Sequence, residues 1–376
     1  MSKIVSQNNL VAKQIEEERK QQQFNEELRI LKQRMQEASD TYDLSQVQKI
    51  PPWIREIIES NLLMETESAK EAGALGFYAR TLAMCVTPYK NPNSYFYKRK
   101  NGNFEMVMMS GQGVPFGVIP RLLMSWVTTE VVRTQEPVLK VGASLAEFLR
   151  NVFDLEKGGG KRGNSTRVRE QMIKLFSSHI DVTHIDPKAS FSLQTVTFAD
   201  QMKLNFAELG AYLDARNKVN EDFPQIEQYF QNKESTLWTP IKKPAEVWES
   251  ELVLNEKFFK ECISSPVPID LRAYKALKGS PLAMDIYTWL TYRMSYLRRE
   301  SKIPWEQLML QFGASFTSSA SDPTSGRRAF KRQFEAALKG VLLVYPKLDV
   351  DVTEQFFVIR PSPTHIPIKE KQAQLW

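Results

Sequence analysis

Apolar residues at helical spacing mark three segments in the first half of the chain and three in the second. The segments match in pairs when the sequence is compared with itself at offsets of 160 to 163 residues. The matched positions are Ile119, Leu123, Trp126 and Val127 with Leu282, Ile286, Trp289 and Leu290; Leu145, Phe148, Leu149 and Val152 with Trp305, Leu308, Met309 and Phe312; and Val168, Met172, Leu175 and Phe176 with Phe330, Phe334, Ala337 and Leu338. One such match is common among amphipathic helices, but three in order at nearly one offset predict a duplicated domain.

Strand patterns follow the third predicted helix in each half. In the first half they lie at 181–184 and 190–197, and in the second a hairpin is predicted over 341–360. A further strand is predicted at 248–254, returning to the first domain. Three helices followed by a hairpin is the element order of a winged helix-turn-helix. The predicted fold class is therefore α+β, with two tandem winged helix-turn-helix domains and a polar helical N-terminal arm.

Proline and polar stretches divide the chain into units. Before Pro51 the chain is polar, with one narrow apolar stripe from Phe24 to Met35. This pattern fits either a solvated or disordered arm or a short coiled coil. The predicted units are the arm at 1–50, a first winged-helix domain at 51–262 with a polar insertion at about 198–245, a second winged-helix domain at 263–366 and a C-terminal tail at 367–376. The proline-rich stretch 264–268 predicts a stiff linker between the two domains.

Composition excludes several classes of protein. The 376 residues include two cysteines, Cys85 and Cys262, and three histidines, His179, His184 and His365. These are too few and too far apart for a disulfide framework or a cysteine-based zinc site, and no catalytic spacing is present, so we expect no metal, no cofactor and no enzyme activity. Without a signal core or an apolar run of about 18 residues, we expect a cytoplasmic protein that does not enter a membrane.

The positive charge is concentrated on the third predicted helix of each domain. The net charge of +6 is modest, with 50 Lys and Arg against 44 Asp and Glu. The candidate DNA-binding residues are Lys161, Arg162, Arg167, Arg169, Gln171 and Lys174 in the first domain, and Arg327, Arg328, Lys331, Arg332 and Gln333 in the second, with Arg298 and Arg299 after the first helix of the second domain. At an offset of 162, Arg169 aligns with Lys331 and Gln171 with Gln333. Because Arg and Gln read base edges while Lys and Arg bind phosphates, the matched helices predict binding to double-stranded DNA.

Two further motifs could carry other chemistry. Gly158–Gly163 has the spacing G-x-G-x-x-G, but it follows a predicted helix and lacks the Ser or Thr of a P-loop, so a basic turn is favoured over a nucleotide site. Asp349 and Asp351 alternate along a predicted strand and could hold a metal in a primase-like enzyme. No third carboxylate or histidine accompanies them, so a solvated strand is the favoured interpretation.

Several long, ordered strings resemble the plasmid-encoded RepA replication initiators. In the first half they are Gly113–Leu123, Trp126–Glu130 and Ser165–Met172; in the second they are Pro268–Arg272, Ser280–Ala283, Asp285–Arg293 and Pro361–Pro363. The likeness runs from about residue 67 to 366, with the arm outside it and the polar insertion matching poorly.

The resemblance implies two winged-helix domains that bind direct repeats, called iterons, at a plasmid origin. It also implies opening of nearby DNA, recruitment of a host replication initiator and helicase, and repression of the protein's own gene. A homodimer and a monomer both stay open as the active form. A winged-helix transcriptional repressor is the alternative function, and a primase-like enzyme using Asp349 and Asp351 is the outside alternative.

Overall fold

The computed structural model describes residues 15–16, 18–19, 22–30, 33, 64, 68–84, 86–101, 104–141, 145–155, 163–186, 190–203, 250–264, 266–313 and 323–367. Most of the predicted arm, insertion and C-terminal tail lies outside the described residues, as do Gly158–Gly160, Lys161 and Arg162. Helices and strands are mixed along the described part of the chain, so the predicted α+β class is confirmed.

The first half contains the three helices that its apolar pattern predicts, together with eight strands in the described residues. The elements are α1 (22–30), β1 (Leu75–Ala79), α2 (Arg80–Met84), β2 (Phe96–Asn101), β3 (Phe104–Ser110), α3 (Val118–Thr134), β4 (Val138–Lys140), α4 (Leu145–Phe153), α5 (Asn164–Phe176), β5 (Ser178–Asp186), β6 (Ser190–Thr197), β7 (Ala199–Lys203) and β8 (Glu251–Leu254). Helices α3, α4 and α5 are the predicted three.

The second half is shorter and simpler. Its elements are α6 (Glu256–Ser264), β9 (Pro266–Asp270), α7 (Leu271–Ala276), α8 (Pro281–Tyr296), β10 (Ser301–Pro304), α9 (Trp305–Phe312), α10 (Pro323–Val344), β11 (Val350–Val352) and β12 (Phe356–Ile359). Ser280 caps α8 as its sequence position predicts, because its Oγ accepts the N–H of Ala283 at 3.2 Å. The hairpin predicted from residue 341 is wrong at its start, since the buried apolar run 341–344 continues α10 instead.

The two halves repeat one order of elements once helices α1 and α6 and the hairpins β2–β3 and β5–β6 are set aside. Elements β1, α2 and α3 correspond to β9, α7 and α8, and elements β4, α4, α5, β7 and β8 correspond to β10, α9, α10, β11 and β12. The sheets correspond as well, because β4–β8–β7 and β10–β12–β11 have the same antiparallel order. We call these two series the first and second repeats. The predicted duplication thus extends from apolar spacing to sheet topology.

The predicted hairpin at 181–197 is present, but its partner differs from that of a wing. Strands β5 and β6 join β3 and β2 in a four-stranded sheet of order β2–β3–β5–β6. The strand that pairs with β4 is β8, which lies in the segment predicted to return at 248–254. Alternation of apolar and polar residues identifies a strand but carries no information about its partner.

A strand pair joins the two repeats where the sequence predicts a linker. Strand β9 pairs with β1 in antiparallel register, from Leu75 opposite Asp270 to Ala79 opposite Pro266. The prolines of β9 are tolerated because each strand of a two-stranded sheet is an edge strand. One hydrophobic cluster continues through both repeats, and α9 of the second repeat packs against β2 in the first half of the chain.

A buried ion pair crosses the same junction. Arg121 on α3 donates from Nε and Nη2 to both carboxylate oxygens of Asp285 on α8, at 2.7 and 2.6 Å. Arg121 also donates from Nη1 to the carbonyl oxygen of Gly117 at 2.5 Å and from Nη2 to that of Thr87 at 2.8 Å. Because the Arg121 side chain is only 1% exposed, this pair holds α3 and α8 in one relative position.

Candidate nucleic-acid interface

An arginine-rich face of α10 is open to solvent. Phe330, Phe334 and Leu338 point into the core as the apolar pattern predicts, which turns Arg328, Arg332 and Gln333 outward. Arg328 and Arg332 are four residues apart and therefore project from the same side of the helix. Neither guanidinium forms an ion pair with any residue that the structure describes. Both groups are available to bind an anion or a base edge.

The loop between β11 and β12 is held beside this face. Lys331 donates from Nζ to the carbonyl oxygen of Thr353 at 2.9 Å and lies 5.3 Å from the ring centroid of Trp305. The Trp305 indole N–H donates to the same carbonyl at 3.0 Å. Arg327 binds Glu306 at 2.9 Å and contacts the Glu354 carbonyl at 3.4 Å. Arg327 and Lys331 thus fix the loop 353–355 against the first half of α10.

Arg298 and Arg299 lie at the opposite end of the second-repeat sheet. Pro304 pairs with Phe356 beside the loop 353–355, whereas Ser301 pairs with Ile359 at the other end. Strand β10 separates these ends by about 10 Å, at ~3.3 Å per residue. Both arginines are exposed and precede Ser301. The structure therefore gathers the five candidate residues of α10 but not these two.

The corresponding helix of the first repeat is covered by its own chain. Arg169 and Gln171 are only 9% and 4% exposed, and the side-chain oxygen of Gln171 accepts the backbone N–H of Phe116 at 2.8 Å. Lys174 binds Glu170 at 2.6 Å, and its ammonium lies 5.2 Å from the Phe116 ring centroid. We call residues 111–117 the covering segment.

Two glycines allow the covering segment to turn onto α5. Gly113 and Gly117 have φ angles of 83° and 81°, a backbone region that costs other residues energy. Arg167 is the one candidate of α5 whose side chain is exposed among those that the structure describes. At the offset of 162, the positions of Arg328 and Arg332 are occupied by Thr166 and Glu170. The exposed arginine pair therefore has no counterpart on α5.

The aspartate pair of the outside alternative is engaged by an arginine. Arg360 donates from Nη1 to Asp349 at 3.0 Å and from Nη2 to Asp351 at 2.9 Å, while its Nε donates to Glu300 at 3.1 Å. Both aspartates thus have a cationic partner from the neighbouring strand end. Within the described ranges, His, Cys, Asp and Glu side chains form no group of three or more that could hold a metal.

Sequence reasoning missed the covering segment as part of this interface. Its glycines were visible in the sequence, but its contact with α5 joins residues 55 positions apart.

The described helices include none that is both long and apolar enough to cross a membrane.

One protein family matches a segment of the chain. The profile of the family described as plasmid encoded RepA protein matches residues 225–307. The resemblance to plasmid replication initiators is thus confirmed over a segment that includes β8 through β10. No curated protein sequence matches the chain.

Two solved structures are similar in outline. One is the crystal structure of RctB domains 2 and 3, with a TM-score of 0.38 and 10% sequence identity. The other is that of selenomethionine derivatives of domains 2 and 3 of RctB, with a TM-score of 0.39 and 11% identity. Each comparison covers 74% of this chain and 95% of the other.

Proposed function

We propose that this chain is a plasmid replication initiator that binds direct repeats in double-stranded origin DNA through tandem winged-helix units. Each unit consists of three helices and the sheet β4–β8–β7 or β10–β12–β11, in the order helix, strand, helix, helix, strand, strand. That order and the antiparallel three-stranded sheet are what a winged helix-turn-helix requires. The match to the plasmid-encoded RepA family supports the same assignment.

The exposed arginine pair of α10 is the observation that carries the proposal. In a helix-turn-helix unit, the first half of the third helix enters the major groove, and Arg328 and Arg332 lie on that half. Arginine donates two hydrogen bonds to guanine, and Gln333 could pair in the same way with adenine. Arg327 and Lys331 place the loop 353–355 beside the reading helix, where it approaches the DNA backbone.

The first repeat contributes differently. Its candidates are Arg167, which is exposed, together with Lys161 and Arg162, which lie outside the described residues. We assign these residues to phosphate contacts at a second half-site, since Arg169 and Gln171 are buried against the covering segment. Binding to neighbouring repeats would then strain A·T-rich DNA, open it and present host replication proteins with single strands. Repression of the protein's own promoter uses the same contacts.

The salt dependence of binding tests the assignment of α10. If both side chains contact phosphates, the double change Arg328→Ala and Arg332→Ala should flatten the slope of log affinity against log salt by up to ~1.8, at ~0.9 per lost contact. If they read guanines, preference at two base positions should relax, at about 1–3 kcal/mol each. Binding should be measured on a duplex carrying the origin repeat and on a scrambled duplex.

The matched control is Arg298→Ala with Arg299→Ala. It removes the same charge from exposed positions of the same repeat, at the far end of the sheet, and should leave slope and preference unchanged. If both double variants lose the same amount of DNA affinity, the effect comes from net charge and α10 does not read the DNA sequence. Footprints over several direct repeats beside an A·T-rich stretch support an initiator, whereas a single palindromic footprint supports a repressor.

A further inference from the structure

Helix α1 of the N-terminal arm is docked on α10. Phe24 is only 9% exposed and belongs to the hydrophobic core, with Leu28 packed beside it. The ammonium of Lys339 on α10 lies 4.9 Å from the Phe24 ring centroid and forms a hydrogen-bonded ion pair with Glu27. A ring and a carboxylate from the arm thus hold one lysine of the candidate DNA-reading helix.

That lysine shares a helical face with the exposed arginines. Lys339 follows Arg332 by seven residues, which at ~100° per residue returns to within ~20° of the same direction, about 10 Å farther along the axis. The Lys339 side chain is 19% exposed, whereas Arg328 and Arg332 are open to solvent. Helix α1 therefore covers the second half of the face whose first half is open.

The position of Lys339 suits a phosphate contact. The major groove is ~12 Å wide, so a side chain about 10 Å beyond a base-reading residue leaves the groove beside the sugar-phosphate backbone. The carboxylate of Glu27 supplies a negative charge to Lys339 at this place. Glu26 adds a second carboxylate on the exposed side of the same helix, where it binds Arg29 at 2.6 Å.

We propose that α1 is an intramolecular competitor of DNA, in which the Glu27 carboxylate takes the place of a backbone phosphate on Lys339. This inference rests on the proposed function of α10. DNA that enters along the arginine face must displace Glu27 from Lys339 before that lysine can bind a phosphate. Because the Glu27–Lys339 pair is partly exposed, its release should strengthen DNA binding by about two- to fivefold.

Two single changes in the full-length chain separate the effect of the Glu27–Lys339 contact on DNA binding from the effect of net charge. Glu27→Gln and Glu26→Gln each remove one negative charge from α1, but only the first frees Lys339. We expect Glu27→Gln to bind the origin duplex more tightly than Glu26→Gln and to steepen the salt slope by ~0.9, the value for one added phosphate contact. Phe24→Ala, which changes no charge, should give a gain of the same sign because it removes the anchor of the arm.

The double variant Glu27→Gln with Lys339→Ala closes the test. Without Lys339 the gain from Glu27→Gln should disappear, since no lysine remains to take the phosphate. Equal behaviour of the Glu26 and Glu27 variants, or a gain that persists in the Lys339→Ala background, overturns the inference. Loss of binding or of base preference on Arg328→Ala with Arg332→Ala, together with silent arm variants, would leave the proposed function standing while this inference fails.

Discussion

At the scale of single residues, His365 is held neutral by its contacts. The backbone N–H of Asp270 donates to the Tyr287 hydroxyl oxygen at 3.1 Å, and Nδ1 of His365 lies within hydrogen-bond distance of the same oxygen, 2.7 Å away. The His365 ring also stacks on Tyr345, with ring centroids 4.7 Å apart. Packing against these side chains removes the imidazole from water, which disfavours its charged form.

Burial of His365 predicts a pH-dependent loss of stability. Desolvation lowers the pKa of His365 from 6.5 to about 4, although Asp270 acts in the opposite direction. The folded state thus binds this proton less readily than the unfolded chain, and its stability is fully present above pH 6.5 and lost as the pH falls toward 4. The loss should reach about 3 kcal/mol in urea unfolding.

A substitution of His365 separates its effect on stability from that of carboxylates that are protonated over the same pH range. His365→Phe keeps a ring against Tyr345 but cannot be protonated, so it should show a weaker loss of stability between pH 6.5 and 4 than the native chain. If the native chain and His365→Phe show the same pH dependence, the proposed role of His365 is wrong.

At the scale of elements, α5 and α10 show how one pattern acquires two roles. Gln171 and Gln333 occupy equivalent positions of the repeat, yet Gln171 accepts a hydrogen bond from the covering segment and Gln333 faces solvent. The difference arises from the neighbouring chain rather than from the helices, whose inward faces are both apolar.

Gln171 and Gln333 give opposite predictions for stability and for DNA binding. Gln171→Ala leaves the partly buried N–H of Phe116 without its acceptor and should lower the free energy of unfolding by about 1–3 kcal/mol, with little change in DNA affinity. Gln333→Ala should leave stability within about 0.5 kcal/mol and weaken binding or relax base preference. Urea titration and duplex binding on both variants check the two halves. If the folded Gln171→Ala protein loses its preference for particular bases, the assignment of a structural role to Gln171 and a DNA-binding role to Gln333 is wrong.

At the scale of the whole molecule, the repeats are fused rather than joined by a flexible connection. The β1–β9 pair, the shared core and the Arg121–Asp285 pair all cross between them. We therefore expect unfolding in one cooperative transition, with circular dichroism and tryptophan fluorescence changing together.

The buried pair provides the sharpest test of this fusion. Arg121→Ala or Asp285→Ala alone strands a charge in the core and should cost about 3–5 kcal/mol, whereas Arg121→Met with Asp285→Leu should recover most of the stability. Equilibrium unfolding of the three variants measures both effects. Two separated transitions in the native chain, or a single change costing under about 1 kcal/mol, would show that the repeats are not coupled through this pair.

Much of the architecture follows from local pattern. The three helix pairs, their inward faces and the duplication were predicted because apolar residues at helical spacing must be buried on one side. The strands near 181, 190 and 251 were predicted from the alternation of apolar and polar residues. The likeness to the plasmid RepA family was legible in ordered strings of residues.

Tertiary contacts decided what local pattern cannot express. The prolines of β9 predicted a linker, but pairing with β1, nearly two hundred residues earlier in the chain, makes that segment a strand. Gln171 and Gln333 occupy equivalent positions, but Gln171 is buried and accepts the backbone N–H of Phe116, whereas Gln333 is exposed. The periodicity of apolar residues determines which face of a helix is buried, but solvent access to the other face depends on segments that are distant in the sequence. The exposed arginine face of α10 could therefore be identified only in the folded chain.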